Sequence, residues 1–388
     1  MVKLLNSKHM KRKIAGLLVL SFLFGVVPGL RAQKSADSLL DAAKNQIFRR
    51  LNNFSFSFYV DAYYNMTLNG VQDTSNVVPF SSNCPLQDQI RMNVAAFELG
   101  YNSDKVRGKF AIQYGDAPNL LASPSSQWIK TIRQANFGFS IVKDLWVDFG
   151  YIFNPVGCES SWAVLNQISF VTVGGYFEPG SVLGVRLSYK FSDKFRGGVM
   201  MGNPFSLAYS QKTHMTGIVF LTWQPRPNLS FTYNNFFGNN AIRNAEINHN
   251  SLYNNIIVTY NPVKKVELTG QFDFAFEANS GMAPDTGKTA SMYSGFLQAC
   301  YRFNEHFAAS ARYEIFDDPD GFLSGVNAKT NRGLRTNGWS LSVEYKPVKS
   351  GYLRLAYRYL GSYPGSYAFH SGGSDQMQAL IFTTGMRF

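Results

Sequence analysis

The sequence predicts an all-β fold, a transmembrane antiparallel up-and-down β-barrel of about 16 strands. Three observations predict it: an export leader, a composition poor in charge and rich in aromatic residues, and a regular series of short amphipathic segments. Charged residues make up 16 % of the chain and aromatic residues 15 %, whereas a soluble domain carries about a quarter charged residues. A barrel can place its apolar and aromatic side chains on the lipid-facing surface and in the two interfacial girdles.

Residues 1–32 are typical of a cleaved signal peptide, with a basic stretch, an apolar run from Ile14 to Leu30 and a cleavage site after Ala32. The leader contains six of the 37 basic residues and no acid, so cleavage lowers the formal net charge from +12 to +6. A mature charge of +6 gives no reason to expect a nucleic-acid partner.

Residues 33–53 are predicted to form a periplasmic N-terminal segment, either helical or disordered, and residues 54–388 the barrel. After the leader no apolar stretch reaches the ~18 to 20 residues that a membrane helix needs. A membrane-bound mature chain must therefore cross with β-strands that close into a barrel, because lipid leaves no partner for unpaired backbone groups.

Sixteen segments have strand character. They cover residues 54–68, 90–102, 105–115, 131–142, 145–153, 181–191, 194–203, 213–223, 228–237, 251–261, 265–276, 290–303, 306–317, 336–346, 351–360 and 376–388. Tight turns containing Asp, Asn, Pro or Lys follow the even-numbered strands, and long polar connections follow the odd-numbered ones. This alternation predicts periplasmic tight turns, extracellular loops and two periplasmic termini. A 16-stranded barrel is wide enough to keep an aqueous lumen.

Residues alternate in character along the strands, as in the segment where Glu267, Gln271 and Asp273 interleave with Leu268 and Phe272. One face is predicted to contact lipid and the other water. The last strand ends the chain at Phe388, and a terminal aromatic residue on an amphipathic strand is the assembly signal expected by the barrel-assembly machinery.

Charged residues at inward-facing positions are the candidate pore-lining groups, because a wet lumen tolerates charge. They are Asp61, Arg107, Lys109, Asp148, Arg186, Lys190, Glu267, Asp273, Glu314, Glu344, Arg354 and Arg358. Two arrangements stay open. Basic and acidic walls could face each other across a constriction and sort solutes by charge, or the groups could pair locally across neighbouring strands.

The longest connection, residues 154–180, is the candidate constriction loop, with Glu159, Trp162 and Asn166 as its candidate residues. It has the length and the mixture of polar and aromatic residues needed to fold inward and narrow a pore. We expect Glu159 to point into the channel. The alternative is an ordinary surface loop.

Enzymatic and metal-binding functions have little support in the sequence. The histidines that follow the leader are scattered among strands, turns and loops, so no catalytic cluster is predicted. The run Asp317 to Gly321 has the alternate carboxylates of a calcium loop but not its distal Glu, and a plain turn explains it. Cys84 and Cys158 could form a disulfide or remain free thiols. We expect no cofactor and no metal.

Three stretches resemble a known family. FYVDAYYN (residues 58–65), LWVDFGYIFNPVGCES (145–160) and GVRLSYKFSDKFRGGVMMGNP (184–204) are similar to Bacteroidetes-type porins of the OmpL-like putative β-barrel porin-2 family. The D-A-Y-Y opening and the G-x-E of Gly157-Cys158-Glu159 carry the resemblance. It implies an outer-membrane channel of unassigned substrate with no catalytic residues.

The predicted function is therefore an outer-membrane porin that passes small hydrophilic solutes or ions by diffusion through a polar lumen. The alternative is a barrel whose long loops bind host or polymeric ligands, with the channel incidental; an outer-membrane enzyme is third. Expected partners are outer-membrane lipid, the barrel-assembly machinery and small hydrophilic solutes. A homo-trimer is one assembly that a barrel of this size allows.

Overall fold

The computed structural model describes residues 52–69, 76–120, 130–178, 180–203, 214–239, 247–369 and 373–388. The leader and most of the N-terminal segment lie outside the described residues. Sixteen antiparallel strands close into one barrel in which each strand pairs with its sequence neighbours and β1 pairs with β16. The strands are β1 Phe54–Thr67, β2 Ile90–Asn102, β3 Val106–Tyr114, β4 Ile132–Val142, β5 Leu145–Phe153, β6 Ser181–Lys190, β7 Phe195–Gly202 and β8 Thr216–Arg226, then β9 Leu229–Asn239, β10 Asn250–Val263, β11 Val266–Glu277, β12 Ala290–Arg302, β13 Phe307–Asp317, β14 Arg335–Val348, β15 Gly351–Ser362 and β16 Gln376–Arg387.

The fold class predicted from the sequence is confirmed, and most strand ends fall within one or two residues of the predicted ones. The eighth strand differs more, since it begins and ends three residues later than the predicted range 213–223. Its end contains a register shift between Trp223 and Arg226. Pro225 lies in this irregular stretch, where the ladder does not require the backbone N–H that proline lacks.

The period-two alternation divides the side chains between the two faces of the wall. On β11, Gln271 and Asp273 are buried inside the barrel, whereas Leu268 and Phe272 are exposed on the outer surface. The neighbouring strand β12 continues the same inward and outward alternation, because Asp273 pairs in register with Ser294 and Phe272 pairs with Gly295. The outer surface is therefore an apolar and aromatic belt, as a lipid-facing barrel requires.

The barrel closes through the pairing of the first and last strands, which runs from Tyr59 opposite Arg387 to Thr67 opposite Ala379. Phe388 extends this seam, since its N–H donates to the carbonyl of Phe58 at 2.9 Å and its carbonyl accepts from Phe58 N–H at 3.2 Å. The terminal residue thus belongs to the ladder, and its ring lies exposed on the outside.

Tight turns and long connections alternate around the barrel as predicted. In the described parts of the long connections, two short helices are complete, α1 (Asp116–Leu120) and α2 (Val173–Phe177), together with one 3₁₀ turn (Ala163–Leu165). Among the residues that the structure describes, no helix is long and apolar enough to cross a membrane.

The inner face is not polar throughout, which the sequence analysis did not anticipate. Near the end of the barrel that carries the long connections, six adjacent strands place buried apolar or aromatic residues directly opposite one another. This inner apolar row consists of Met200, Ile218, Phe236, Tyr253, Ala275 and Met292. It belongs to a larger buried cluster that includes residues from long connections, such as Val156, Val173 and Phe369. The connections therefore pack into the barrel at this level.

Candidate functional site

Residues 154–180, which we call the inner loop, fold into the barrel interior. Trp162, Ile168 and Phe170 at its centre are buried. The N–H of Gly157 donates to Asn255 Oδ1 on β10 at 3.2 Å, and the N–H of Val164 donates to the hydroxyl of Tyr59 on β1 at 3.2 Å. Because walls far apart in the barrel bind the same loop, the loop crosses the lumen.

The tip of the inner loop depends on a glycine. Gly157 has φ +80°, a left-handed conformation that favours glycine, and the carboxylate of Glu178 packs against the position that a Cβ would occupy. The next residue, Cys158, donates its N–H to Gln271 Oε1 on β11 at 3.1 Å. The Gln271 amide in turn donates to both Glu178 and Asp273. The G-x-E motif thus has a geometric reason for its glycine.

A charge cluster of Glu159, Arg312, Glu314 and Arg358 fixes the loop to the opposite wall. Arg312 NH1 contacts Glu159 Oε1 at 2.6 Å, and Arg358 NH2 contacts Glu314 Oε1 at 3.2 Å. All four side chains are buried. Buried ion pairs need further hydrogen bonds to offset the loss of water, and the cluster's carboxylates find them at the start of α2.

The start of α2 supplies backbone N–H groups to the charge cluster. Thr172 donates its N–H to Glu159 Oε2 at 2.8 Å, and Val173 donates its N–H to Glu314 Oε2 at 2.7 Å. The first N–H groups of a helix have no partner within the helix and attract negative charge. The two carboxylates therefore join the loop to the arginines of β13 and β15.

Phe170 lies between two members of this cluster. The guanidinium carbon of Arg312 is 5.2 Å from the centre of the Phe170 ring, and that of Arg358 is 4.8 Å away. The ring is fully buried, and cation–π contacts are strongest where water is excluded. Arg312 NH1 also donates to the carbonyl oxygen of Phe170 at 3.2 Å.

Arg354 on β15 is a second anchor. Its guanidinium donates to the carbonyl of Ala163 at 3.0 Å, to Ser169 Oγ at 3.2 Å and to the carbonyl of Asn166 at 2.8 Å. It also pairs with Glu344 of β14. One buried arginine thus binds three points of the inner loop.

Trp162 anchors the loop to the other side of the barrel. Its indole N–H donates to Gln113 Oε1 on β3 at 3.0 Å, and its ring centre lies 4.1 Å from the guanidinium of Arg133 on β4. The Tyr59 ring packs 5.5 Å from the Trp162 ring. These contacts enclose the side chain, which is buried.

The first long connection also enters the lumen and meets the inner loop. Asn83 Nδ2 donates to the carbonyls of Ser160 and Ser169, each at 3.1 Å. Cys84 beside it is buried, whereas Cys158 is exposed, and both are free thiols. The disulfide that the sequence left open is not formed.

Ten of the 12 candidate pore-lining residues form ion pairs with neighbouring groups. The observed pairs are Arg107 and Arg186 with Asp148, Lys109 with Glu98, Lys190 with Asp193, Glu267 with Arg302, Glu314 with Arg358, and Glu344 with Arg354. These contacts correspond to the local-pairing alternative.

The carboxylates of Asp61 and Asp273 bond neutral groups instead. Asp61 accepts from Asn93 Nδ2 and from the N–H of Val94, each at 2.8 Å. Asp273 accepts from Asn255 Nδ2 at 2.6 Å and from Ser294 Oγ at 2.8 Å. Both side chains are buried in the inner wall.

The expectation that Glu159 points into the channel is wrong. Its carboxylate turns to the wall, because the buried guanidinium of Arg312 and the start of α2 both need a negative partner. Asn166 does not face open space with its side chain either, since its amide bonds the backbone of Ser160 through Nδ2 and Oδ1. Cys158 is the exposed residue at this tip.

Burial also shifts the pKa values of carboxyl groups in the inner loop. Loss of water raises the pKa of Glu159, although Arg312 and Thr172 oppose the shift. Loss of water, with repulsion from Asp273 and Glu159, raises the pKa of Glu178 well above its ordinary range. Burial therefore favours the neutral form of the Glu178 carboxyl group.

The inner loop leaves one part of the wall free. Among the described residues, no hydrogen bond joins it to β7, β8 or β9. We call the exposed and partly exposed inward-facing residues of β6 to β9 the free wall; Met200, Ile218 and Phe236 on the same strands are covered by the long connections. Arg186, Ser188, Arg196, Thr222 and Thr232 on this wall are at least partly exposed.

Sequence reasoning missed several residues that hold the loop. Arg312 is the most important, and the alternation of β13 places it on the same face as Glu314, so a signal was present. Phe170 gave no such signal, and the alternation placed Gln271 on the polar face without indicating its role, because both roles depend on contacts between a loop and a distant strand.

The Asp-rich run after β13 is a turn. Asp318 accepts from the N–H groups of Phe322, Leu323 and Ser324 at 2.8 to 3.2 Å, so its carboxylate is occupied by backbone. Across the described parts of the chain, no group of three or more His, Cys, Asp or Glu residues is arranged to hold a metal ion.

The closed 16-stranded barrel and its apolar outer belt have the architecture of outer-membrane porins. The chain belongs to the family described as putative beta-barrel porin-2, OmpL-like, whose model matches residues 53–388. It is accordingly a β-barrel of the bacterial outer membrane. No curated protein matches the chain in sequence.

Solved structures with the same fold include OmpF of Salmonella typhi, in complex with daunomycin, with a TM-score of 0.60 and 11 % identity over 86 % of this chain and 97 % of that one. An anion-selective porin from Comamonas acidovorans has a TM-score of 0.55 and 9 % identity over 86 % and 99 %. A trimer form of Vibrio cholerae OmpT has a TM-score of 0.54 and 11 % identity over 86 % and 99 %. At these identities the likeness establishes the fold alone.

Proposed function

We propose that this porin passes small hydrophilic solutes and ions by diffusion, through a lumen that the inner loop narrows. The observation that carries the proposal is the binding of residues 154–180 to inward-facing side chains on widely separated strands. A loop bound at so many points acts as a fixed constriction, because each buried contact restricts its movement. Solutes are then selected by their size and by the electrostatic field of the charged residues that line the lumen.

The route that we propose follows the free wall. The inner loop is bonded to β1, β3 and β4 on one side and to β10 to β13, β15 and β16 on the other. Polar residues such as Ser188, Thr222 and Thr232 on the remaining wall keep partial exposure. A hydrated solute can exchange hydrogen bonds with such side chains as it moves.

We also propose that the barrel acts without catalysis, in accord with a family of porins. The alternative function, ligand binding by long loops with an incidental channel, has no observation in its favour. The trimer form of the Vibrio cholerae protein makes a homo-trimer a reasonable assembly for this chain as well.

The remaining expectations concern export and assembly. We propose that residues 1–32 are removed on export, that residues 33–53 stay in the periplasm, and that both termini are periplasmic. Phe388 is the proposed signal for the barrel-assembly machinery. Its exposed ring and its backbone pairing with Phe58 suit a terminal strand that is recognised before the seam closes, and outer-membrane lipid then surrounds the belt.

Single-channel recording of the purified protein in planar bilayers tests the proposed function. Cys158 is exposed at the loop tip, whereas Cys84 and Cys300 are buried, so a bulky charged thiosulfonate should react with one thiol. We expect stable ohmic steps that become smaller after modification. Cys158→Ser is the matched control, since its steps should not respond to the reagent.

Two results would contradict the proposal. A purified barrel that gives no steps would exclude a porin. Unchanged conductance after complete modification of Cys158, measured by mass spectrometry, would exclude the inner loop as the constriction.

A further inference from the structure

The charged residues of the inner wall are unevenly distributed by sign. On β6 to β9 the inward-facing charged residues are all basic: Arg186, Lys190 and Arg196. The inward-facing acids of the strands lie elsewhere, at Asp61, Glu98, Asp148, Glu267, Asp273, Glu277, Glu314 and Glu344. The free wall therefore carries one sign of charge.

Two of the three basic groups on the free wall keep net positive charge. Arg186 shares the single carboxylate of Asp148 with Arg107, at 3.1 Å and 2.5 Å. Two guanidinium groups with one carboxylate leave one positive charge, and the Arg186 side chain is 26 % exposed. Arg196 is exposed, and no ion pair is observed for it among the described residues. Lys190 is paired with Asp193 in the adjoining turn.

The acids on the other walls offer little opposing field. Glu267, Glu314 and Glu344 are each paired with an arginine. The unpaired carboxylates of Asp61 and Asp273 are almost completely buried, with 1 % exposure each, and bond neutral donors. The carboxylate of Glu178 is enclosed between Gly157 and Gln271.

We infer that the channel selects anions, and that Arg186 and Arg196 determine this selectivity. The inference rests on the proposed function, because it assigns the class of solute for the same lumen. A mobile anion that passes the free wall meets exposed guanidinium groups, while the exposed Asp193 in the adjoining turn is paired with Lys190. The electrostatic field of charges of one sign raises the local concentration of mobile ions of the opposite sign. Rings or walls of arginine act in this way in anion pores.

The reversal potential of single channels in a KCl gradient tests the inference. For the unmodified protein we expect a chloride permeability several times that of potassium. Arg186→Gln together with Arg196→Gln should bring the ratio near or below one. The barrel should still assemble, since Asp148 keeps Arg107 as its partner.

Lys264→Gln together with Lys265→Gln is the matched control. It removes the same number of positive charges from an exposed turn between β10 and β11, outside the free wall. The ratio of chloride to potassium permeability should therefore stay unchanged. Cation preference of the unmodified channel would overturn the inference, and so would equal ratios for the two double variants. Absence of any conductance would instead overturn the proposed function, so the two failures can be told apart.

Discussion

The strands that hold the inner loop and the strands of the free wall have the same alternation of inward and outward side chains, but their inward-facing arginines have different roles. On β13 and β15, Arg312, Arg354 and Arg358 are buried and bound to carboxylates or loop carbonyls. On β6 and β7, Arg186 and Arg196 are partly or fully exposed. An inward-facing arginine is therefore an anchor where a loop covers it and a lining group where none does.

The difference shows what decides the role of a charge in a barrel of this size. The strand fixes only that a side chain points inward. A second element decides whether that side chain meets protein or water, and here the second element is the inner loop. Changes to the loop should therefore affect the covered side strongly and the free wall only slightly.

Replacement of Phe170 by Ala should have the largest effect. The change removes a buried ring between Arg312 and Arg358, and truncation of a buried Phe costs about 3 to 5 kcal/mol. We expect the loop to open locally, with faster amide hydrogen exchange at Thr172 and Val173 and noisier single-channel current. Leu165→Ala, at a half-exposed position of the same loop, is the control and should change exchange far less. Equal exchange in the two variants would mean that Phe170 does not hold the loop.

Replacement of Gly157 by Ala should have an intermediate effect. A left-handed φ costs a residue with a Cβ about 1 to 2 kcal/mol, and the added methyl group would collide with the Glu178 carboxylate. Gly180→Ala in the same loop is the control, because open space surrounds that position. We expect faster amide hydrogen exchange at Cys158 in Gly157→Ala but not in Gly180→Ala. If Gly180→Ala has the same effect, general loop flexibility and not the Gly157 geometry is responsible.

The dependence of loop docking on pH should be the smallest effect. The pKa of Glu178 is raised in the docked loop by loss of water and by repulsion from Asp273 and Glu159. A raised pKa means that the docked loop binds the proton more tightly than the released loop. Docking is therefore strongest below the ordinary carboxyl pKa and weakens as pH rises through the raised value.

Current noise recorded at a series of pH values tests this dependence. Noise should grow with rising pH in the unmodified channel and stay nearly constant in Glu178→Gln. Glu305→Gln, at an exposed turn between β12 and β13, should behave like the unmodified channel. Current noise that grows as pH falls would be the opposite of this expectation and would show that protonation of Glu178 does not stabilise the docked loop.

Much of the fold could be predicted, because strand ends and turns depend on local signals. Alternation and turn residues gave sixteen strands, and only the eighth moved by three residues, where Pro225 lies in a register shift. The same alternation placed Glu314 and Arg358 on the inner face. It could also have identified Arg312, two residues before Glu314 on the same strand.

The contacts of the site could be predicted much less well. The sequence indicated that residues 154–180 were long enough to fold inward, but it gave the wrong direction for Glu159. That direction depends on Arg312, which is distant in the chain and comes close only when the barrel closes. The same limit applies to Phe170 and Gln271, whose partners are set by strand register and loop path together.

The inner apolar row has a consequence for how the strands find their partners. Strand register is normally protected because a slip of one residue exchanges the two faces. Around Met200 and Ile218 both faces of the wall are apolar, with Val199 and Met201 on the outside, so a slip there exposes no polar group to lipid. Correct pairing of these strands must then be enforced by polar pairs on the inner face, where Arg186 stands opposite Asp148 and Asn234 opposite Asn255. Polar pairs on the inner face thus guide the pairing of strands whose apolar stretches could slip.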